Sequence, residues 1–188
     1  MSEAVKKMSE GELLQLEKAR TLKLQEDTYF EIIKNKTASL LASACASGAW
    51  SSSGDEQKTN QLKEFGEHIG IAFQIKDDLF DYQSNDVGKP TGNDIKEKKL
   101  TLPLIYTLNN CDNKVRREII YILKKSHKAD HEIKLVIEKV VESGGITYAN
   151  KRMNEFYDKA KIILNNFPEN DGRKGLASLT DFVINRQY

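Results

Sequence analysis

The hydrophobic positions of this 188-residue chain recur at three- and four-residue intervals almost throughout, which is the spacing of an amphipathic α-helix. We find no segment that alternates convincingly between apolar and polar residues as a strand would. The pattern predicts eight helices, at 3–24, 28–47, 59–82, 102–109, 112–125, 130–142, 145–166 and 172–186. Because the predicted links are short, we expect an all-α helical bundle.

Glycine and proline mark the expected ends of these helices. The second predicted helix should begin near Asp27 or Thr28 and end at Gly48. The longest predicted stretch without regular structure is the polar loop 83–98, which contains Gly88, Pro90 and Gly92. Long loops in compact domains are often functional, so this loop is a candidate part of a site.

Composition excludes several classes of function. The formal net charge is only +1 although 30% of residues are charged, so the chain lacks the basic excess of a nucleic-acid or anionic-membrane binder. The weakly polar run 37–50 is too short and serine-rich for a transmembrane segment, and the charged N-terminus does not resemble a secretory signal. Cys45 and Cys111 have no zinc-type spacing, and we expect two buried thiols in a reducing cytoplasm.

Three aspartates, Asp77, Asp78 and Asp81, lie within five positions of the third predicted helix. With Gln74 they occupy positions i, i+3, i+4 and i+7, and so form one stripe. A solvated outer face is the ordinary explanation of an acidic stripe, but aspartate is a poor helix former and none of the three has a Lys or Arg four residues away. Two unit charges ~4 Å apart repel by roughly 4 kcal/mol at an effective dielectric near 20.

Such a cluster should therefore hold either a shared proton or a cation. Carboxylate oxygens without nearby Cys or His suit Mg²⁺, which commonly binds one or two carboxylates together with substrate phosphates. The loop that follows carries lysines around Asp94, namely Lys89, Lys96, Lys98 and Lys99. A lysine cluster alone is usually a solvated surface. Beside the aspartate stripe, however, the lysines and a metal could hold a polyphosphate between them and stabilise a departing phosphate.

These segments resemble a known enzyme family. FQIKDDLFDY (73–82) followed by GKPTGNDIKEKKLTLP (88–103) is similar to the second aspartate-rich region of trans-isoprenyl (polyprenyl) diphosphate synthases. GELLQ (11–15) resembles the GExxQ element of the medium- and long-chain, octaprenyl-type branch, and Lys36-Thr37-Ala38 resembles the KTA motif. Segments around Gly144-Gly145-Ile146 and in the last helix are also similar, so the resemblance covers nearly the whole chain.

The resemblance implies a partial isoprenoid synthase fold and Mg²⁺-dependent head-to-tail prenyl transfer. An allylic diphosphate would ionise, and isopentenyl diphosphate would attack the resulting carbocation. By position, the resemblance implies that the metal ligands are Asp77, Asp78 and Asp81. It implies that the diphosphate is bound by Lys36, Lys89 and Lys99, with Asp94 orienting the loop. The implied catalytic residues are Lys36, Thr37 and Gln74, the last two of which would steady the carbocation through their oxygens.

One family feature is missing from the sequence. The family's first DDxxD motif, followed by paired arginines, should precede the KTA motif, and no DDxxD occurs before Asp77. We therefore expect residues 1–188 to be the C-terminal part of a synthase domain, inactive alone, whose full-length form is a homodimer. The alternatives are a non-catalytic helical subunit or regulator of a prenyl synthase and, fitting the motifs less well, a terpene cyclase.

Overall fold

The computed structural model describes residues 2–22, 25–82 and 91–186, and these residues contain helices and no strand. The predicted all-α class is confirmed. The elements are α1 (Ser2–Thr21), α2 (Glu26–Ile33), a π-helical turn (Lys34–Ala38), α3 (Ser39–Ser53), α4 (Glu56–Phe80), α5 (Asn93–Lys96), α6 (Leu102–Asn110), α7 (Asn113–Lys124), α8 (Asp130–Glu142), α9 (Gly145–Asn165) and α10 (Asp171–Asn185).

The second predicted helix is longer than its sequence pattern suggested. It runs from α2 through the π turn into α3 without a break, and it ends at Gly54 rather than at Gly48. Gly54 adopts a left-handed conformation, with φ of 60°, and its N–H bonds the Trp50 carbonyl at 2.9 Å. Gly48 lies inside α3, where an added Cβ would meet no atom within 4 Å. The prediction took a permissive helical glycine for a terminator.

Helix α4 is the central element, and it packs along α3 and along α9. It begins at Glu56, three residues before the predicted start, because the Asp55 side chain caps it by accepting the Lys58 N–H at 3.0 Å. Glycine allows its close approach to the neighbouring helix. A Cβ on Gly70 would lie 2.5 Å from the Ala38 Cα, in the π turn.

The main core joins α4 to α6 and α8 through fully buried aliphatic side chains: Ile75, Leu79, Leu102, Leu104, Val136 and Val140. The prediction that residues 83–98 lack regular structure was wrong in part, because Asn93–Lys96 form the short helix α5. The Ile95 side chain of this helix is completely buried in the core. Cys45 and Cys111 are free, as expected, but half-buried rather than buried. Among the described helices, none is long and apolar enough to cross a membrane.

Candidate active site

The π turn carries two of the predicted site residues, Lys36 and Thr37. Its widened geometry is shown by the Ser39 N–H, which bonds the Lys34 carbonyl five residues earlier. Short π segments inside α-helices are frequent at functional sites. On the outer side of this turn α1 approaches closely, because a Cβ on Gly11 would lie only 2.6 Å from the Lys36 backbone nitrogen.

Helix α1 holds the Lys36 ammonium group. Its Nζ lies 2.6 Å from Glu12 Oε2 and donates to Gln15 Oε1 at 2.7 Å. The GELLQ element was recognisable in the sequence, but the tasks of Glu12 and Gln15 were not. Both side chains, together with the close packing at Gly11, fix the position of the lysine on which the site depends.

Thr37 and Gln74 contact each other directly across the α4–π-turn junction. The Thr37 hydroxyl donates to Gln74 Oε1 at 2.7 Å, and Gln74 Nε2 donates to Asp78 Oδ1 at 3.0 Å. Because the Gln74 amide nitrogen donates to Asp78, the amide oxygen faces Thr37. The Thr37 hydroxyl oxygen and the Gln74 amide oxygen, both uncharged, therefore lie side by side.

Asp78 is completely buried. Its Oδ2 accepts the Tyr29 hydroxyl at 2.8 Å, and its Oδ1 accepts Lys99 Nζ at 2.9 Å in addition to Gln74. A buried carboxylate is costly unless it is paired and fully hydrogen-bonded, and these three donors meet that requirement. Sequence reasoning missed Tyr29, which lies seven residues, or about two helical turns, before Lys36 on the same helical rod.

Lys99 joins Asp78 to Asp94, whose carboxylate lies 3.3 Å from Lys99 Nζ. The Lys99 backbone N–H also bonds the Asp94 carbonyl at 2.8 Å, so Asp94 holds this part of the loop at two points. Burial opposes the charge on Lys99, but the attraction of Asp78 and Asp94 outweighs burial and raises the pKa of the ammonium group. The cation is therefore present throughout the physiological pH range.

Asp94 titrates near neutrality. Burial raises the pKa of its carboxyl group from an ordinary 3.8 to about 7, although Lys99 favours the ionised form. Between pH 3.8 and about 7, Asp94 therefore carries a proton in the folded protein that it has already lost in the unfolded chain. Stability from this residue is full below the unfolded pKa and is lost as pH rises through the folded pKa.

We therefore expect Asp94→Asn to flatten part of the pH dependence of stability. As pH rises from about 4 to 7, the wild type should lose stability relative to the variant. The free energy of unfolding of the wild type minus that of the variant should therefore fall, and it can change sign. Urea unfolding at several pH values measures this difference. Asn replacement of the exposed Asp158 is the control, and an equal pH profile for both variants would contradict the prediction.

Asp81 has a different task from its neighbours in the stripe. Its carboxylate accepts the backbone N–H groups of Asn93 at 2.8 Å and Asp94 at 3.0 Å, and so ties the end of α4 to the start of α5. Burial raises the pKa of Asp81, while these backbone donors oppose the rise. Asp81 acts as a side-chain cap for α5 and holds the start of that helix against the end of α4.

Asp77 is the open member of the stripe, with 54% of its side chain exposed. Its partner is Arg186, whose Nη2 lies 3.5 Å from Asp77 Oδ1 and whose guanidinium group stacks over Phe73 at 4.2 Å. The three aspartates predicted as metal ligands therefore have three separate sets of partners. Within the ranges that the structure describes, no three His, Cys, Asp or Glu side chains converge closely enough to hold a metal ion.

A small cleft, with a volume of about 20 Å³, opens where these elements meet. Predicted site residues and apolar side chains line it together: Gln15, Tyr29, Ile32, Lys36, Gln74, Lys99 and Leu100. Two ammonium groups beside a pair of neutral oxygens suit an anionic head group next to a developing positive charge. Lys89, also predicted to bind diphosphate, lies outside the described residues.

Comparison with known proteins identifies relatives of this chain. Residues 1–140 match the sequence profile described as Polyprenyl synthetase. A short chain isoprenyl diphosphate synthase of Methanothermobacter thermautotrophicus is 36% identical over 187 residues, which are 97% of this chain and 56% of that protein. The chain thus spans little more than half the length of that relative.

Two crystal structures share the fold over the whole chain. A decaprenyl diphosphate synthase from Rhodobacter capsulatus matches with a TM-score of 0.92 and 32% identity, over 100% of this chain and 58% of the other. A polyprenyl synthase from Caulobacter crescentus, complexed with calcium and isoprenyl diphosphate, matches with a TM-score of 0.91 and 33% identity over the same shares.

Proposed function

The chain belongs to the polyprenyl synthetase family, and we propose that the whole protein extends an allylic diphosphate with isopentenyl diphosphate in a Mg²⁺-dependent prenyl transfer. The observation that carries this proposal is the cleft that Lys36, Lys99 and Gln74 line together, with Thr37 hydrogen-bonded to Gln74. Calcium and isoprenyl diphosphate bound to the Caulobacter crescentus synthase support the same ligand chemistry.

In the proposed reaction, Lys36 and Lys99 bind the diphosphate of the allylic substrate and offset the charge that develops as its C–O bond breaks. Glu12 and Gln15 hold the Lys36 ammonium group at the cleft, and Asp78 holds that of Lys99. The oxygens of Thr37 and Gln74, whose hydrogen bond is 2.7 Å long, face the allylic carbon that becomes positive. The apolar side chains Ile32 and Leu100 exclude water from that carbon.

Among the three aspartates, Asp77 fits a role as metal ligand best. Its carboxylate is the most exposed of the three, and its contact with Arg186 is a long one, 3.5 Å, that a divalent ion can replace. Asp78 and Asp81 already accept hydrogen bonds with both of their oxygens. When bound, Mg²⁺ would neutralise oxygens of the substrate diphosphate and so make it a better leaving group.

We expect this chain to bind inorganic diphosphate in the presence of Mg²⁺, with Lys36→Met and Lys99→Met each weakening binding by about tenfold or more. Each variant removes an ammonium group from the cleft. Isothermal titration calorimetry measures the affinity, and a thermal melt shows whether the variant is folded. Lys96→Met, at the exposed last residue of α5 and three residues before Lys99, is the matched control. Equal losses in all three variants would show general electrostatic attraction instead of a site.

Turnover tests the full proposal. We expect the full-length protein to convert an allylic diphosphate, isopentenyl diphosphate and Mg²⁺ into a longer prenyl diphosphate, detected by chromatography of the radiolabelled product. The 188-residue chain alone should give little or none, because the family's first aspartate motif is not in its sequence. Robust turnover by this chain would overturn the proposal that it is the C-terminal part of the catalytic domain.

We further propose a cytoplasmic homodimer for the full-length protein, on the basis of the family resemblance. The resemblance of GELLQ (11–15) to the form of the medium- and long-chain branch supports a longer product, and product length stays a prediction from that element.

A further inference from the structure

Tyr29 is the partner of Asp78 that belongs to none of the recognised motifs. It lies on α2, it is only 2% exposed, and its hydroxyl donates to Asp78 Oδ2 at 2.8 Å. A buried tyrosine hydroxyl needs a hydrogen-bond partner, and here the partner is a buried carboxylate. Burial and the neighbouring Asp78 charge raise the pKa of Tyr29, so the phenol keeps its proton and is always the donor.

The bond from Tyr29 decides which way the Asp78 carboxylate faces. Because Oδ2 is occupied by the phenol, Oδ1 is directed to Gln74 Nε2 and Lys99 Nζ, at 3.0 and 2.9 Å. The three donors come from three different elements, namely α2, α4 and the segment between α5 and α6. Without the hydroxyl, the carboxylate can rotate toward its two remaining donors, and both of those donors would move with it.

Gln74 transmits this orientation to the cleft. Its Nε2 is committed to Asp78, so its Oε1 points at Thr37 and accepts the threonine hydroxyl at 2.7 Å. If the amide turned over, an NH₂ group would replace that oxygen beside Thr37. An NH₂ group carries partial positive charge, and it would repel the positive carbon that the oxygen stabilises.

We propose that Tyr29 is a positioning residue for prenyl transfer: its hydroxyl, acting through Asp78, keeps the Gln74 oxygen toward Thr37 and the Lys99 ammonium toward the cleft. The catalytic part of this role rests on the proposed function. The structural part concerns only the orientation of the Gln74 side chain. The contacts form one continuous chain from Tyr29 through Asp78 and Gln74 to Thr37.

Tyr29→Phe tests the proposal, with Tyr148→Phe as the matched control. Tyr148 also donates its hydroxyl to a carboxylate, that of Glu26, at 2.7 and 2.8 Å, but it does not line the cleft. The first measurement is the ¹⁵N–¹H spectrum of the side-chain amides, in which the Gln74 signals are identified by their loss in Gln74→Leu. The second is the affinity for inorganic diphosphate with Mg²⁺.

We expect the Gln74 amide signals to shift in Tyr29→Phe and to stay in place in Tyr148→Phe. Diphosphate affinity should fall about tenfold in Tyr29→Phe and stay within about twofold in the control. Unmoved Gln74 signals in Tyr29→Phe, or equal shifts in both variants, would overturn the proposal, because a merely structural tyrosine predicts those results.

The two measurements separate this inference from the proposed function. If the wild-type chain binds no diphosphate while Gln74 still responds to Tyr29→Phe, the proposed function fails and the positioning of Gln74 by Tyr29 stands. If Tyr29→Phe does not fold, 3-fluorotyrosine at position 29 retains the ring and the hydroxyl but makes the hydroxyl a stronger donor. The Gln74 signals should then shift, and their failure to do so would contradict the proposal.

Discussion

Asp78→Ala lowers the free energy of unfolding by about 3 kcal/mol, because it breaks a buried network from one side and leaves charged and polar partners behind. The Lys99 side chain is only 22% exposed and would face Asp94 alone, while the Tyr29 hydroxyl would lose its acceptor inside the core. The adjacent Asp77→Ala changes the free energy of unfolding by less than about 1 kcal/mol, because the Asp77 side chain is 54% exposed and its contact with Arg186 is 3.5 Å long.

Urea unfolding of the two variants measures this contrast, and the midpoint should fall clearly in Asp78→Ala alone. Mg²⁺-dependent diphosphate binding gives the complementary contrast, because Asp77→Ala should lose much of the Mg²⁺ dependence while it keeps its stability. Similar stability losses in the two variants would show that the aspartates act as one exposed cluster. In that case the separate tasks assigned to Asp77 and Asp78 are wrong.

Much of the candidate site could be predicted from the sequence, because helical periodicity places Gln74 and Asp78 on one stripe and the motifs mark Lys36, Thr37 and Lys99. In the structure Lys36, Gln74 and Lys99 line one cleft, and Thr37 and Asp78 are hydrogen-bonded to Gln74. The stripe did not reveal that its aspartates differ. Their burial is decided by what packs on α4, and Asp78 is enclosed by α2 and the loop, which are distant in sequence.

Tyr29 could not be recognised by residue type, because a tyrosine on an apolar helix is ordinarily a core residue. The available signal is its position two turns before Lys36, which puts both side chains on the same face of the helix. The π turn had no signal in the hydrophobic pattern. Close packing against Gly11 and Gly70 accompanies it, and such contacts between distant segments cannot be read from local propensity.

Gly70→Ala should destabilise the protein by about 2 kcal/mol or more, although alanine is the better helix former. The added Cβ would lie 2.5 Å from the Cα and 2.8 Å from the Cβ of Ala38, so backbone has to move. Gly48→Ala is the matched control, because it also lies inside a helix and its Cβ would meet nothing within 4 Å. It should stabilise the fold by up to about 1 kcal/mol.

The same substitution also tests whether the site depends on this helix crossing. Ala38 follows Thr37 directly, and Gln74 lies one turn after Gly70 on α4, so a wider crossing separates the two oxygens that now share a 2.7 Å hydrogen bond. We therefore expect Gly70→Ala to weaken Mg²⁺-dependent diphosphate binding as well as stability, measured well below its melting temperature, whereas Gly48→Ala alters stability alone. Unchanged binding in a destabilised Gly70→Ala protein would show that the crossing supports the fold without setting the geometry of the cleft.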